Sequence, residues 1–340
     1  MVLGIDLHVE KIVVVRQLDG ATPQPAQRFT PEAFLHWAAK QTALAEEVHS
    51  CYEAGPCGFV LHRQLLALGI ENLVIRPRDW DEYGQRVKTD RRDARQMALC
   101  LERYVTGNQE ALHPVRVPTP EEEQRRSDSR LRQRLQSEKQ RLAAQARGDA
   151  LYYGHRLKGP WWTAGPWKKL QGQLPEHLLG RLERMRRLIL AVDEELQAVT
   201  QALEAQAPAD LPLGLGRLSC ELLEREVGDW NRFANRRQVA SYTGLCPRED
   251  SSGHRRFQGA INKHGNRRVR PVLIECTWRL CVWQPGWRRL ARWRPVLADP
   301  KTPRARRKKI IVALARQLAI DWWRVRTGRC TPQSLGLLVK

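Results

Sequence analysis

The sequence predicts an α/β domain, then a pair of long antiparallel helices, then a mainly helical basic region. Three observations carry this. In residues 1–115, short β-rich runs alternate with segments of helical spacing. Residues 116–206 hold two long charge-dense segments with narrow apolar stripes. Residues 207–340 are basic and rich in tryptophan. With 340 residues, the chain has room for two or three domains with real cores.

In the first region, "LGID" and "KIVVVRQL" are β-rich runs with a short polar break, which predicts a hairpin. "PEAFLHWAAKQTALAE" has helical spacing at Phe34, Leu35, Ala38, Ala39 and Leu44. "EVHSCYE" predicts a short strand and "FVLHRQLLALG" a helix ending at Gly69. "ENLVIRP" reads as a strand stopped by Pro77. "TDRRDARQMALCLERY" closes the region as a helix, with Thr89 or Asp90 placed to cap it.

The middle region opens with proline and acids, as a helix start should. Leu131, Leu135, Leu142 and Ala146 make one thin stripe. Leu182, Met185, Ile189, Val192, Leu196, Val199 and Leu203 make a second. Two such helices predict an antiparallel coiled-coil arm. The link between them, "YYGHRLKGPWWTAGPWKKL", carries Trp161, Trp162 and Trp167. These rings either stack on nucleic-acid bases or plug the tip of the arm.

In the last region, "LPLGLGRLSCELLEREVG" is a glycine turn opening a helix, a form that can offer N–H groups to phosphates. "SYTGLCPREDSSGHRRFQGAINKHGNRRVRPVLIE" reads as a polar loop followed by a helix, with Gly265 placed for a tight turn. "RARRKKIIVALARQLAIDWW" is a late helix with a basic first turn and an apolar face.

The formal net charge is +21. Such an excess repels itself in a compact fold, so a polyanion is the natural partner. No run of about 18 apolar residues is present to span a bilayer, and no signal segment opens the chain. The eight cysteines form no Cys-x-x-Cys pair, which argues against structural zinc and for reduced thiols in a cytoplasmic protein.

Against this basic background four acids stand out. Asp6 ends the first strand and Glu53 ends another, while Asp90 and Asp93 share one face of a helix. An α/β sheet can bring two strand ends and a helix face together. Carboxylates so crowded raise one another's pKa unless a divalent cation neutralises them, and hard oxygen ligands select Mg²⁺ or Mn²⁺. Two such ions about 4 Å apart clamp the attacking and leaving oxygens of a phosphodiester. Each acid also has an ordinary reading: Asp6 as a turn residue, Asp90 as a helix cap, Asp93 as a partner for Arg92 or Arg95.

Four stretches taken together, "GIDLHVEKIVVV", "YEAGPCGF", "IRPRDWDEYGQRVKTDRRDARQMA" and "ANRRQVASYTGLCPREDSSGHRRFQGAINKHGNRRVRPVLIE", carry a resemblance over nearly the whole chain. The sequence is similar to the DEDD transposases of the insertion sequence 110 and 1111 elements, the bridge-RNA-guided recombinases. The resemblance implies an RNase H-like, RuvC-like fold for the first region, with Asp6, Glu53, Asp90 and Asp93 as its catalytic and Mg²⁺- or Mn²⁺-binding acids. It implies a serine nucleophile matching Ser252, with Ser251 adjacent. It further implies donor and target DNA, a structured noncoding guide RNA, and a homodimer that becomes a tetramer on nucleic acid, in a bacterial cytoplasm at the nucleoid. In this light the domains are an RNase H-like domain at 1–115, a dimerisation arm at 116–206 and a transposase domain at 207–340 carrying the serine.

Serine needs activation. His254 is near in sequence, but no hydrolase-type His–Asp pair stands out, so metal ions at the acids are the expected activator. Arg248, Arg255, Arg256, Lys263, Arg267, Arg268 and Arg270 flank the serine as candidate nucleic-acid contacts. The competing expectations are a metal-dependent structure-selective endonuclease that uses water attack, and a non-catalytic nucleic-acid-binding protein.

Overall fold

In a computed structural model, the structure describes residues 1–78, 80, 89–252 and 255–339. His254 and the "EYGQRVK" part of the third stretch lie outside the described residues, as does the side chain of Arg256. The chain divides into two compact units, Met1–Pro118 and Thr119–Lys340. The helix pair and the C-terminal region therefore belong to one unit.

The first unit is built on β1 (Val2–Leu7) and β2 (Ile12–Gln17), the expected hairpin. A short strand not foreseen from sequence, β3 (Gln27–Phe29), extends it antiparallel. Three residues, two of them polar and exposed, leave no alternation to detect. Helix α1 (Pro31–Gln41) starts at Thr30, whose hydroxyl accepts a hydrogen bond from the Ala33 amide at 3.3 Å. Then follow β4 (His49–Glu53), α2 (Val60–Ala67), β5 (Glu71–Ile75) and α3 (Asp90–Val105). The sheet order is β3-β2-β1-β4-β5, with β4 parallel to both β1 and β5.

Helices cover both faces, so β1 and β2 are apolar on both sides, as strands buried twice must be. Leu3, Ile5 and Tyr52 face Phe34, Ala38 and Leu65 of α1 and α2. Val2 and Cys51 face Met97 and Leu101 of α3. This alternation decides where the acids point.

The second unit opens with α4 (Pro120–Tyr152), which has a complete capping box between Thr119 and Glu122. A short α5 (Ala164–Gln171) leads into α6 (Glu176–Ala205). The two long helices run antiparallel: Arg132 Nε donates to Thr200 Oγ1 at 2.9 Å, Lys139 pairs with Asp193 at 2.5 Å, and Arg181 with Asp149 at 3.6 Å. Leu182, Ile189, Leu196 and Leu203, one heptad apart, form the buried seam of α6. Leu131, expected in the stripe of α4, is 44% exposed. Trp161 and Trp167 are buried against Leu142, Ala146 and Ile189. They plug the tip of the pair and present no free stacking face.

The chain continues through α7 (Arg217–Val227), α8 (Arg236–Thr243), a hairpin of β6 (Pro247–Ser252) and β7 (Arg255–Ile261), α9 (Val269–Trp283), two short turns α10 (Arg288–Ala291) and α11 (Arg294–Ala298), and α12 (Arg304–Arg326). The hairpin corrects the expectation of a polar loop at 247–261. Every residue of β6 after Pro247 is exposed, so no buried face imposes the alternation that reveals a strand. No helix among the described residues is long and apolar enough to cross a membrane.

Candidate functional site

Asp6 follows Gly4 by two residues on β1, and Glu53 follows Cys51 by two on β4. Ile5 pairs with Tyr52 across the parallel strands, so Asp6 and Glu53 come next, side by side. Both project to the α3 face. Gly4 lets that helix lie directly on the strand, since a Cβ there would meet the Ala94 carbonyl oxygen at 2.1 Å. The first turn of α3, which carries Asp90 and Asp93, is thereby set beside the end of β1.

The side chains of Asp6, His8 and Asp90 each offer one ligand atom within 4.8 Å of the others. His8 Nε2 lies 3.3 Å from Asp6 Oδ2 and 3.7 Å from Asp90 Oδ1. Lys11, from the β1–β2 turn, donates to Asp90 Oδ2 at 2.5 Å. Burial raises the pKa of Asp6. His8 opposes the rise, while the charges of Asp90 and Asp93 add to it. Asp90 is held below the usual carboxylate range by its hydrogen bond from Lys11.

Glu53 is beside this group but engaged elsewhere. Its Oε1 accepts from Trp80 Nε1 at 2.6 Å and from the Arg78 amide at 3.2 Å. Of the four predicted acids, the structure thus joins Asp6 and Asp90 directly. It sets Asp93 within electrostatic reach of Asp6 and brings the strand end of Glu53 alongside. His8 and Lys11 were missed by sequence reasoning. Their signal was the strand alternation, which puts His8 on the side of Asp6, and the hairpin, which turns Lys11 back toward it. The carboxylate oxygens suit a hard divalent cation such as Mg²⁺ or Mn²⁺, whereas the imidazole nitrogen of His8 is a softer ligand that Mg²⁺ would not favour. Lys11 supplies a positive charge at the same carboxylate.

Ser252 lies at the exposed end of β6, paired with Arg255 of β7. Ser251 pairs with Arg256, and its hydroxyl donates to Glu249 Oε1 at 3.1 Å on its own strand. The root of the hairpin is knit backbone to backbone. The Asn262 amide donates to the Cys246 carbonyl at 2.8 Å, and the Lys263 amide to the Gly244 carbonyl at 3.2 Å. A Cβ on Gly265 would lie 2.2 Å from both Gly244 N and Tyr242 O. Gly265 is thus required for close approach, while the positive φ in this turn falls on Lys263 at 61°.

The flanking cations divide by role. Arg248, Arg255, Lys263 and Arg267 are exposed. Arg270 braces the root, its Nη2 donating to the Lys263 carbonyl at 2.9 Å and its Nε to that of Thr243 at 3.3 Å. Arg268 Nε donates to Gln133 Oε1 at 2.8 Å and lies 3.8 Å from Glu226. Burial lowers its pKa, and the charge of Arg130 lowers it further.

Beneath the hairpin lies a buried network that the sequence did not announce. Asn266 Nδ2 donates to Glu226 Oε2 at 3.0 Å, and Arg130 Nε to Glu226 Oε1 at 3.2 Å. Arg225 is 2% exposed. It donates to Glu221 at 2.8 Å, Asp128 at 3.1 Å, the Arg125 carbonyl at 2.6 Å and Gln206 at 2.8 Å. It therefore ties the base of both long helices to α7.

Residues 213–292 match the family described as Transposase IS116/IS110/IS902 family. That span includes the hairpin and its root. Two proteins of Sinorhizobium fredii that carry transposase names are similar over most of their length. One, y4qE, is 31% identical over 86% of this chain and 79% of its own. The other, y4rJ, is 33% identical over 80% and 75%. The transposase for insertion sequence element IS1111A of Coxiella burnetii is 28% identical over 66% of this chain and 64% of its own. With identity and coverage of this extent, the chain belongs to the IS116/IS110/IS902 transposase family.

Proposed function

We propose that this transposase cuts and rejoins DNA strands with Ser252 as nucleophile, assisted by divalent cations at Asp6, Glu53, Asp90 and Asp93. The observation that carries this is the meeting of Asp6 and Asp90, from a strand end and a helix face, with His8 at the same point. Burial and the charges of Asp90 and Asp93 make the ionised form of Asp6 costly, and a divalent cation held between Asp6 and Asp90 would relieve it. Mg²⁺ or Mn²⁺ bound there would polarise the scissile phosphate. In the covalent step the Ser252 oxygen bonds to phosphorus as one phosphorus–deoxyribose oxygen bond breaks. That oxygen leaves carrying a proton. The phosphoserine link conserves the bond energy, so strands reseal without ATP. Arg248, Arg255 and Arg267, exposed around the serine, would hold the flanking phosphates.

The first unit is RNase H-like in this reading, which its mixed five-stranded order supports. The acids belong to one compact unit and the serine to the other. The reading resolves this by assembly: α4 and α6 dimerise the protein as a coiled coil, tetramers form on nucleic acid, and a serine of one subunit serves the acids of another. A structured guide RNA would supply sequence by base pairing. Light scattering on protein lacking residues 116–206 tests the dimer; an unchanged oligomer removes the arm from that role.

The alternative is water attack at the acids alone. Ser252→Ala decides. Loss of a DNA-linked protein species and of strand transfer supports the serine. Cleavage and transfer that survive the substitution leave the acids as a water-activating nuclease.

A further inference from the structure

A groove of about 890 Å³ opens on the second unit between α9, the start of α12 and the segment before it. Its floor is apolar, from Ile274 and Ile311, and Trp278 stands at its wall. Trp278 is 46% exposed, and its ring stacks on no other aromatic among the described residues. Arg304, Arg307 and Lys308 also line the groove.

The basic start of α12 runs against its own helix. Arg304, Arg306, Arg307, Lys308 and Lys309 fall within its first two turns, with no acid in the first. The positive end of the helix dipole disfavours cations there. None of the five forms an ion pair among the described residues. Arg307 gives Nη2 to the Asp299 carbonyl at 2.5 Å, while its buried Nε–H has no partner among the described residues. An anion would offset both the crowding and the dipole.

We infer that this groove holds an unpaired nucleotide of single-stranded DNA, the base stacked on Trp278 and the phosphates on Arg304, Arg307 and Lys308. The volume suits a small ligand of this size. Stacking on an exposed aromatic beside cations is how single strands are held without reading sequence. The lining holds no carboxylate or amide, and its one hydroxyl, on Thr302, donates to Asp299 at 3.5 Å. A ribose 2′-OH would find no carboxylate or amide to accept its proton, and the proposed occupant is therefore DNA. The inference rests on the transposase reading and names a strand-holding surface apart from Ser252 and the acids.

The test uses full-length protein and fluorescence anisotropy with labelled oligothymidylate of about twelve nucleotides. Trp278→Ala should weaken single-strand binding roughly ten-fold and leave a duplex of equal length nearly unaffected. Trp278→Phe should keep most of the affinity. Trp283→Ala, on α9 and 60% exposed but outside the groove, should change nothing. Lys308→Gln should lower the salt slope by about 0.7 for the single strand. Equal melting temperatures of the variants guard against misfolding. An unaltered affinity in Trp278→Ala, or an equal loss with duplex, overturns the groove. So does oligouridylate that binds more tightly and loses more. Protein that binds duplex and single strand, with a single-strand affinity that Trp278→Ala does not change, sinks the groove alone. Protein that binds no DNA sinks the underlying reading as well.

Discussion

A Cβ on Gly4 would lie 2.1 Å from the carbonyl oxygen of Ala94, so strand β1 and helix α3 touch through bare backbone. This contact sets the first turn of α3, with Asp90 and Asp93, against the end of β1. Gly4→Ala should push the helix outward. The loss should be about 1–3 kcal/mol, read as a lower urea midpoint, and divalent-cation binding should fall with it. An unchanged midpoint would show that α3 can shift freely and that the contact does not position the acids.

Divalent cation should stabilise the full-length protein, since a ligand of the folded form alone raises its melting temperature. About 2.7 kcal/mol is the gain at a hundred times Kd. Asp90→Asn should abolish the Mg²⁺- or Mn²⁺-dependent shift. Lys11→Gln should enlarge it, because the ammonium 2.5 Å from Asp90 competes for the same carboxylate. Calorimetry with and without millimolar metal reads both. A shift that persists in Asp90→Asn places the ion elsewhere.

Glu226 links stability to pH. Burial raises its pKa, but hydrogen bonds from Arg130 and Asn266 and the charges of Arg130 and Arg268 outweigh this, and the net shift is downward. A depressed carboxyl contributes stability that is present above its unfolded value, about 4.3, and fades as pH falls through the folded value. Glu226→Gln should therefore cost about 2 kcal/mol at pH 7, and the difference from wild type should shrink below about pH 4. Urea melts at both pH values measure it. A difference constant with pH would mean that shape, not charge, matters at this position.

Arg225 should be the most sensitive cation in the second unit. Its side chain is fully buried and serves four acceptors, among them Glu221, itself 2% exposed. Arg225→Ala leaves Glu221 with Arg125 alone and should cost about 3–5 kcal/mol. Arg225→Lys should rescue little, since an ammonium cannot reach four acceptors in one plane. Full rescue by lysine in a denaturation experiment would reduce the network to simple charge balance.

The first unit was largely legible in the chain because its strands are buried on both faces and its helices on one. Burial writes itself into the order of apolar residues. The hairpin of β6 and β7 was not legible, because polar exposed strands bury nothing and need no alternation. The same holds for Trp161 and Trp167: their composition suited stacking on bases or plugging the tip, and only packing against α4 and α6 chose the plug. Among the seven cations near Ser252, the count was visible but the division of labour was not. Arg270 and Arg268 bond within the fold, while Arg248, Arg255, Lys263 and Arg267 face solvent.

Residue order alone settled the α/β character of residues 1–115, the paired long helices and the family, since these rest on local periodicity and on motifs contiguous in the chain. Tertiary structure decided which acids meet, that His8 and Lys11 join them, and that Glu53 turns to Trp80 and the Arg78 amide. Those outcomes depend on strand register and on how closely a helix can approach a glycine, distances of a few ångströms between segments far apart in the chain, which linear spacing does not encode.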